Sequence, residues 1–314
     1  PIVSVMSVNI TCRFLCLCFG FASVLGSDIR PRQGPRDCAE VYRAGDRYEG
    51  YYAIFPNPGN PGEIGIAYCG VDDGLIALES SAPRTSPENC QDLQDGGMSE
   101  SGINIIFPYD DHPETPVIVF CEQSVMGGGW TVFQRRDDYS SQLDFYRDFG
   151  EYAIGFGSPG AEFWLGNEII HELTNQKVSE LYIDLTSFAG ETKYAHYAIF
   201  NVGNLTGGAY EGPFQLTTSH YSGSAGDSLS DHNGMAFTAY DIDNDLWSSG
   251  NCAVYYKGAW WHRDTARSNL NGLYFVDNNN RLDYTSAFWN TFSDNIYEPL
   301  RLIQMMTRPL RQKN

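Results

Sequence analysis

Positive charge is scarce in this chain. Against 39 Asp and Glu stand only 20 Lys and Arg in 314 residues, a formal net charge of -19. Nucleic-acid binding needs clustered basic side chains to displace counterions from phosphates, so no nucleic-acid partner is expected. Catalytic signatures are missing too. There is no GxSxG, no HExxH and no Walker A run, and the six histidines show no tight pairing. An enzyme is therefore not expected. No apolar run approaches the ~20 residues of a membrane-spanning helix. Neither a Gly-X-Y series nor a heptad series appears, which leaves no collagenous or coiled-coil stalk within these residues.

The longest apolar stretch, Phe14 to Leu25 (FLCLCFGFASVL), follows Arg13 and precedes the small residues Gly26 and Ser27. It reads as a secretory signal over residues 1–26, with translation starting at Met6, and predicts a secreted, extracellular protein with no membrane span in the mature chain. An N-terminal anchor is the competing reading, disfavoured by the shortness of the run. Export puts cysteines in an oxidising compartment. Cys12, Cys16 and Cys18 would leave with the signal, whereas Cys38, Cys69, Cys90, Cys121 and Cys252 remain. Five is odd, so at least one thiol is free or bridges two chains. Asn204-Leu205-Thr206 is a glycosylation sequon that fits the same route, although such tripeptides also arise by chance.

The segment after Cys38 repeats after Cys90. An ungapped shift from 38 to 90 brings Cys69 onto Cys121, Gly45 onto Gly97, Gly50 onto Gly102, and Ile54-Phe55-Pro56 onto Ile106-Phe107-Pro108. The simplest pairing is Cys38 with Cys69 and Cys90 with Cys121, which closes each copy within itself, with other connectivities open. The first copy, residues 38–80, is a truncated duplicate, and such a short segment with one disulfide is marginal as a fold. Residues 81–89 read as a polar linker.

From Cys90 onward the pattern is mixed. Trp130–Phe133 and Leu181–Leu185 read as strands. Asn167–Leu173 reads as a short helix capped by Asn167, with Ile169, Ile170 and Leu173 on one face. Beyond Gly207, Gly, Ser, Asn, Asp and aromatic residues favour ordered loops. Several motifs then occur in sequence: Gly127-Gly128-Gly129-Trp130-Thr131-Val132-Phe133-Gln134-Arg135-Arg136, Glu162-Phe163-Trp164-Leu165-Gly166-Asn167-Glu168, Asn251-Cys252-Ala253-Val254, Gly258-Ala259-Trp260-Trp261 and Ser268-Asn269-Leu270-Asn271-Gly272. On these motifs the chain, from residue 90 to 309, resembles the fibrinogen-related domain family. The resemblance implies an extracellular α+β domain of the kind found in fibrinogen, ficolins, tachylectins and angiopoietins. It would have a central mixed, mainly antiparallel sheet, short helices and a loop-rich C-terminal region for calcium and ligand. Members are generally binding modules.

Asp241, Asp243 and Asp245 alternate, a spacing that lets two or three carboxylates converge with carbonyls on a hard cation. An EF-hand is ruled out by Leu246 where Gly is needed and Cys252 where Glu is needed. The resemblance places a calcium ion on the side chains of Asp243 and Asp245 and the main-chain carbonyls of Trp247 and Ser249. Gly250 competes with Ser249, because this segment is one residue longer than the family norm. The bland alternative is a solvated acidic turn. Without an ion to close it, such a loop gathers carboxylates that repel one another.

The same resemblance puts an acetyl-binding pocket on Tyr256, Ala266, Tyr284 and Thr285. Tyrosine rings suit a methyl group and their hydroxyls a polar head. The chain departs from the family at Thr265-Ala266, where the pattern is Cys-His. That loss orphans Cys252 and removes a ligand histidine. His262 lies four positions away as a substitute, and a packed loop histidine is the commoner case. Arg263 and Arg267 would favour an acidic ligand, or are ordinary surface charge. Trp260 and Trp261 are sugar-stacking candidates or core. Glu168 with Glu172 and the Ser222–Ser228 loop read as surface charge and a tight turn.

The expectation is a secreted calcium-dependent lectin for acetylated glycans, serving innate immune recognition. The alternative is a signalling or adhesion ligand for a cell-surface receptor, a reading that the altered Thr265-Ala266 loop strengthens. A degenerate duplicate is a third reading. A homo-oligomer would form through the domain itself, the partial copy, or a Cys252 cross-link.

Overall fold

Apolar runs become strands in this protein, and the Asn-, Asp- and Gly-rich segments become ordered loops. A computed structural model describes residues 50–54, 65–69, 86–113, 115–206, 212–275 and 283–311. The signal segment, the Cys38 to Cys69 pairing and linker residues 81–85 lie outside the described residues. The chain divides into two compact units, Pro1–Thr85 and Ser86–Asn314.

In the first unit β1 (Gly50–Ile54) and β2 (Gly65–Cys69) pair antiparallel, with Gly50 opposite Cys69 and Ile54 opposite Gly65. In the second unit β3 (Gly102–Ile106) and β4 (Val117–Glu122) pair with Gly102 opposite Cys121 and Ile106 opposite Val117. Shifting each partner of the first hairpin from 38 to 90 reproduces the partners of the second. Register is a stringent coincidence, because a one-residue slip would turn every side chain to the other face.

The second unit continues with β5 (Trp130–Arg136), β6 (Phe156–Gly157), β7 (Phe163–Trp164), β8 (Ser179–Ser187), β9 (Thr192–Val202) and β10 (Leu216–Gly223). The short β11 (Ser268–Asn269) and β12 (Phe288–Trp289) pair with each other, and β13 (Leu300–Pro309) is the last strand described. One nine-stranded sheet runs β10-β9-β8-β13-β5-β4-β3, with β6 and β7 joined at β5. Its pairings are all antiparallel. The parallel part of the expected mixed sheet shrinks to an isolated bridge, Leu273 with Ser286.

Burial explains the central strand. Leu181, Ile183 and Leu185 of β8 are fully buried, and Tyr182 between them nearly so, because both faces are covered. Glu180 at its start joins the nearly buried Arg308 of β13 and His196 of β9, each at 2.7 Å.

Four α-helices are found among the described residues. In α1 (Cys90–Asp95), Asn89 is the N-cap, so the unit starts at Ser86, inside the stretch expected to be linker. The Cys90–Cys121 disulfide forms, with Cα atoms 5.5 Å apart, and ties α1 to β4. In the chain-entropy view a loop of that size stabilises by about 3–4 kcal/mol. A capping box of Asp148 and Glu151 starts α2 (Phe149–Ile154). α3 (Asn167–Asn175) runs two residues beyond the expected helix, and its cap is Gly166 at φ +108°. Any Cβ at Gly166 would come within 2.8 Å of the Ile154 backbone. Asn167 lies inside the helix, where its Oδ1 accepts from Trp164 Nε1 at 3.1 Å. Finally, α4 (Cys252–Tyr256) is set in the loop region.

Alternation along β5 links the sheet to those loops. Arg135 faces one side, over Phe120 and bonded to Gln304. Gln134 and the buried Arg136 reach the loops instead. Gln134 Nε2 donates to the Leu270 carbonyl at 3.0 Å, and Arg136 donates to the Leu270 and Gly272 carbonyls. The Gln-Arg-Arg motif thus anchors the Ser-Asn-Leu-Asn-Gly loop.

Candidate functional site

The acidic loop takes its shape from side chains that bond backbone. Asn244 Nδ2 donates to the Phe237 carbonyl at 2.8 Å, and Asn251 Nδ2 to the Ala239 carbonyl at 3.0 Å. Asn251 Oδ1 also caps α4 by accepting from Val254 N. Asp241 is drawn away: its Oδ1 accepts from Phe149 N at 2.9 Å, at the start of α2. Two carboxylates therefore remain in the loop. No group of three or more His, Cys, Asp and Glu converges among the described residues.

Asp243 is exposed and Asp245 half-buried. Each oxygen of Asp245 is aimed by a backbone amide, Oδ1 by Trp247 N at 2.8 Å and Oδ2 by Cys252 N at 2.7 Å. Asp243 Oδ1 accepts from Asp245 N at 3.2 Å. Burial raises the Asp245 pKa, and the neighbouring Asp243 adds to the rise. No ion pair among the described residues neutralises either carboxylate. The Trp247 carbonyl accepts from Gly250 N at 3.1 Å, which leaves a second lone pair, and Ser249 is exposed. This donor set is hard oxygen carrying uncompensated charge, and it fits calcium.

Cys252 is free and fully buried. Burial, together with Asp245, pushes its thiol far above the ordinary range. Such a thiol is an inert core group, so the expected cross-link to another copy is closed to it in this fold.

The aromatic pocket is rearranged relative to expectation. Tyr256 is 8% exposed and Ala266 6%; both belong to an apolar cluster with Cys252 and Phe288, flanked by Trp247 and Tyr297. Burial drives the Tyr256 pKa up to about 12. Tyr256 therefore backs the site as a wall rather than facing solvent. Thr285 is half-buried, and its hydroxyl donates to Asp283 Oδ1 at 2.6 Å.

Tyr284 faces solvent and stacks on Tyr255, with centroids 4.5 Å apart and planes 10° apart. Tyr255 was missed from sequence, although its outward direction follows from its place on α4 beside inward-facing Tyr256. Trp247 braces Tyr255 edge-on at 5.6 Å. The two tyrosines, 45% and 39% exposed, form an aromatic shelf beside the acidic loop.

His262 does not replace the lost histidine. It is fully buried, bonded to the Gly258 carbonyl at 2.8 Å, and held down to about 3 by burial. Trp260 and Trp261 are also fully buried and unavailable to a sugar. The turn after β10 is filled by a carboxylate: Asp227 accepts from Tyr197 Oη, Leu229 N and Ser230 N, which leaves no cradle for phosphate. Asn204 lies in an exposed turn after β9, with the Thr206 hydroxyl donating to its Oδ1 at 3.1 Å.

Residues 86–310 match the family described as fibrinogen beta and gamma chains, C-terminal globular domain. Among curated relatives, Fibrinogen C domain-containing protein 1 of Xenopus tropicalis is 41% identical over 241 residues, covering 75% of this chain and 51% of that protein. Ryncolin-4 of Cerberus rynchops is 45% identical over 207 residues, covering 66% and 54%. The chain thus spans about half the length of the curated relatives it matches. Among solved structures, the fibrinogen-like globe domain of human ANGPTL6 superposes with a TM-score of 0.64 at 34% identity, covering 74% of this chain and all of that one. Lamprey fibrin D-dimer, solved with the peptide Gly-His-Arg-Pro-amide, superposes with a TM-score of 0.62 at 30% identity, covering 76% and 80%. A matching family over residues 86–310, with the antiparallel sheet and loop-built C-terminal region that its relatives share, makes this chain a member of the fibrinogen C-terminal domain family.

Proposed function

We propose that this protein is an extracellular calcium-dependent lectin that holds acetylated glycans on the Tyr255–Tyr284 shelf, in the service of innate immune recognition. The exposed stacked tyrosines beside the Asp243–Asp245 loop carry the reading, since an aromatic face suits an acetyl methyl or a sugar ring. Asp243, Asp245 and the carbonyls of Trp247 and Ser249 would hold the ion. Calcium would supply the positive charge that the loop lacks, and α4, tied to Asp245 through Cys252 N, would position Tyr255. Asn204 would carry an N-glycan, as its exposed turn allows.

The test passes the secreted protein over acetylated resin with calcium. Retention that is released by N-acetylglucosamine and by a chelator supports the proposal, and retention indifferent to both refutes it.

A receptor-binding role is the second reading, favoured by one observation. Ile242, Leu246 and Val254 are exposed in the loop and helix that carry the site, more apolar surface than a single sugar needs. Capture of a cell-surface protein undiminished by free sugar would select this role.

A further inference from the structure

A second recess opens on the loop that carries Thr265. It encloses about 170 Å³ and is lined by Asp231, His232, Arg263, Asp264, Thr265 and Arg267. Thr265 and Arg267 face this cavity, while Ala266 between them is buried with Tyr256 and Cys252. The loop backbone therefore separates the cavity from the tyrosine shelf.

The floor is rigid and neutral. His232 is 1% exposed, its Nδ1 donates to the Trp261 carbonyl at 2.8 Å, and its Nε2 accepts from the amides of Arg267 and Ser268 at 3.2 Å each. The rim is charged. Asp231 Oδ2 holds Arg267 Nε at 2.9 Å and Asn290 Oδ1 accepts from Nη1 at 3.4 Å, which orients the guanidinium and leaves its remaining terminal N–H groups to a ligand. Arg263 is exposed and makes no ion pair among the described residues. Asp264 adds acceptors. Thr265 adds a hydroxyl at a position where the family pattern has a cysteine.

Two guanidinium groups beside two carboxylates leave the cavity near neutral, so a bare anion gains little. A ligand with one acid group and adjacent hydroxyls satisfies both signs: its carboxylate takes the arginine donors, and its hydroxyls reach Asp264 and Thr265. The volume lies below the ~300–1,000 Å³ of sites for drug-sized ligands, which limits the occupant to a single sugar unit. We propose that this cavity is a calcium-independent binding site for a sugar acid, either free or at the end of a glycan.

Titration of the full secreted chain in calcium-free buffer, followed by NMR shifts, tests the site with glucuronate, glucose and sodium sulfate as probes. Saturable binding of glucuronate without binding of glucose is expected. Arg263→Gln, an exposed substitution, should weaken it about tenfold, and Thr265→Val should weaken it about threefold. A disaccharide ending in glucuronate separates the two sources: retained affinity marks a glycan end, lost affinity marks the free acid, and both uphold the site. Equal binding of sulfate and glucuronate would reveal an adventitious ion only. That result, no glucuronate binding, or full affinity in a folded Arg263→Gln protein overturns the proposal. Because calcium is absent, none of these outcomes bears on the tyrosine shelf.

Discussion

Along the ladders that join β8 to β9 and β13, backbone groups pair with one another and the apolar side chains fill volume. Between Phe214 and Leu300 side chains satisfy the backbone. Asn269 Nδ2 donates to the Tyr256 carbonyl, Asn271 Nδ2 to the Ala259 carbonyl, and His232 joins Trp261 to Arg267 and Ser268. A sheet tolerates loss of one side-chain hydrogen bond, because its ladder remains. A loop region built this way depends on particular polar atoms, and that dependence makes a precise binding surface possible without long elements.

Trp261 belongs to both regions, so its removal should have the largest effect. It packs on Trp164 and Phe237 and donates from Nε1 to the Phe214 carbonyl at 2.7 Å. Trp261→Ala should destabilise by about 4 kcal/mol, measured by urea unfolding, with loss of a single cooperative transition if the two regions uncouple.

Acid should strike the loop region next. Burial holds His232 at about 4, below its ordinary value, so the unfolded chain binds a proton more readily than the fold. The stabilising contribution is complete above about pH 6.5 and is lost as pH falls from there toward 4, on the order of 3 kcal/mol in total. Unfolding between pH 7 and 4 should show this loss together with that of the equally buried His262, and His232→Gln should make the profile shallower without abolishing it.

Asn269→Ala should cost about 2 kcal/mol, since it strands the Tyr256 and Ser286 carbonyls that Asn269 Nδ2 reaches. Removing the Ser101 hydroxyl, a side-chain bond at the sheet margin, should cost under about 1 kcal/mol by the same assay. Equal losses would erase the distinction between the regions.

Tyr284→Ala should change stability least, by under about 0.5 kcal/mol, while abolishing retention on acetylated resin. Unchanged retention would move the ligand away from the shelf.

Two strands of the sheet were legible as short apolar runs. Trp130–Phe133 and Leu181–Leu185 proved to be parts of β5 and β8, because a strand buried on both faces has a pattern that local sequence carries. Asn167 was misplaced as a cap, since Gly166 can adopt φ +108° and Asn167 is taken by Trp164. In the acidic loop the even spacing of three carboxylates did not reveal that Asp241 serves α2, a partner 92 positions away. The aromatic half was not legible: whether Tyr255 or Tyr256 faces solvent depends on how α4 is rotated in its bed.

By itself the sequence determined the family and the repeat of one segment by another, and it made Cys90 with Cys121 the simplest pairing, because these rest on local spacing and motif chemistry. Only the tertiary structure decided which groups are exposed. Burial of Cys252, Tyr256, His262, Trp260 and Trp261, and exposure of Tyr255, Tyr284 and Arg263, are set by packing between segments far apart in the chain. Solvent access is a property of the whole packed assembly, and residue order alone does not contain it.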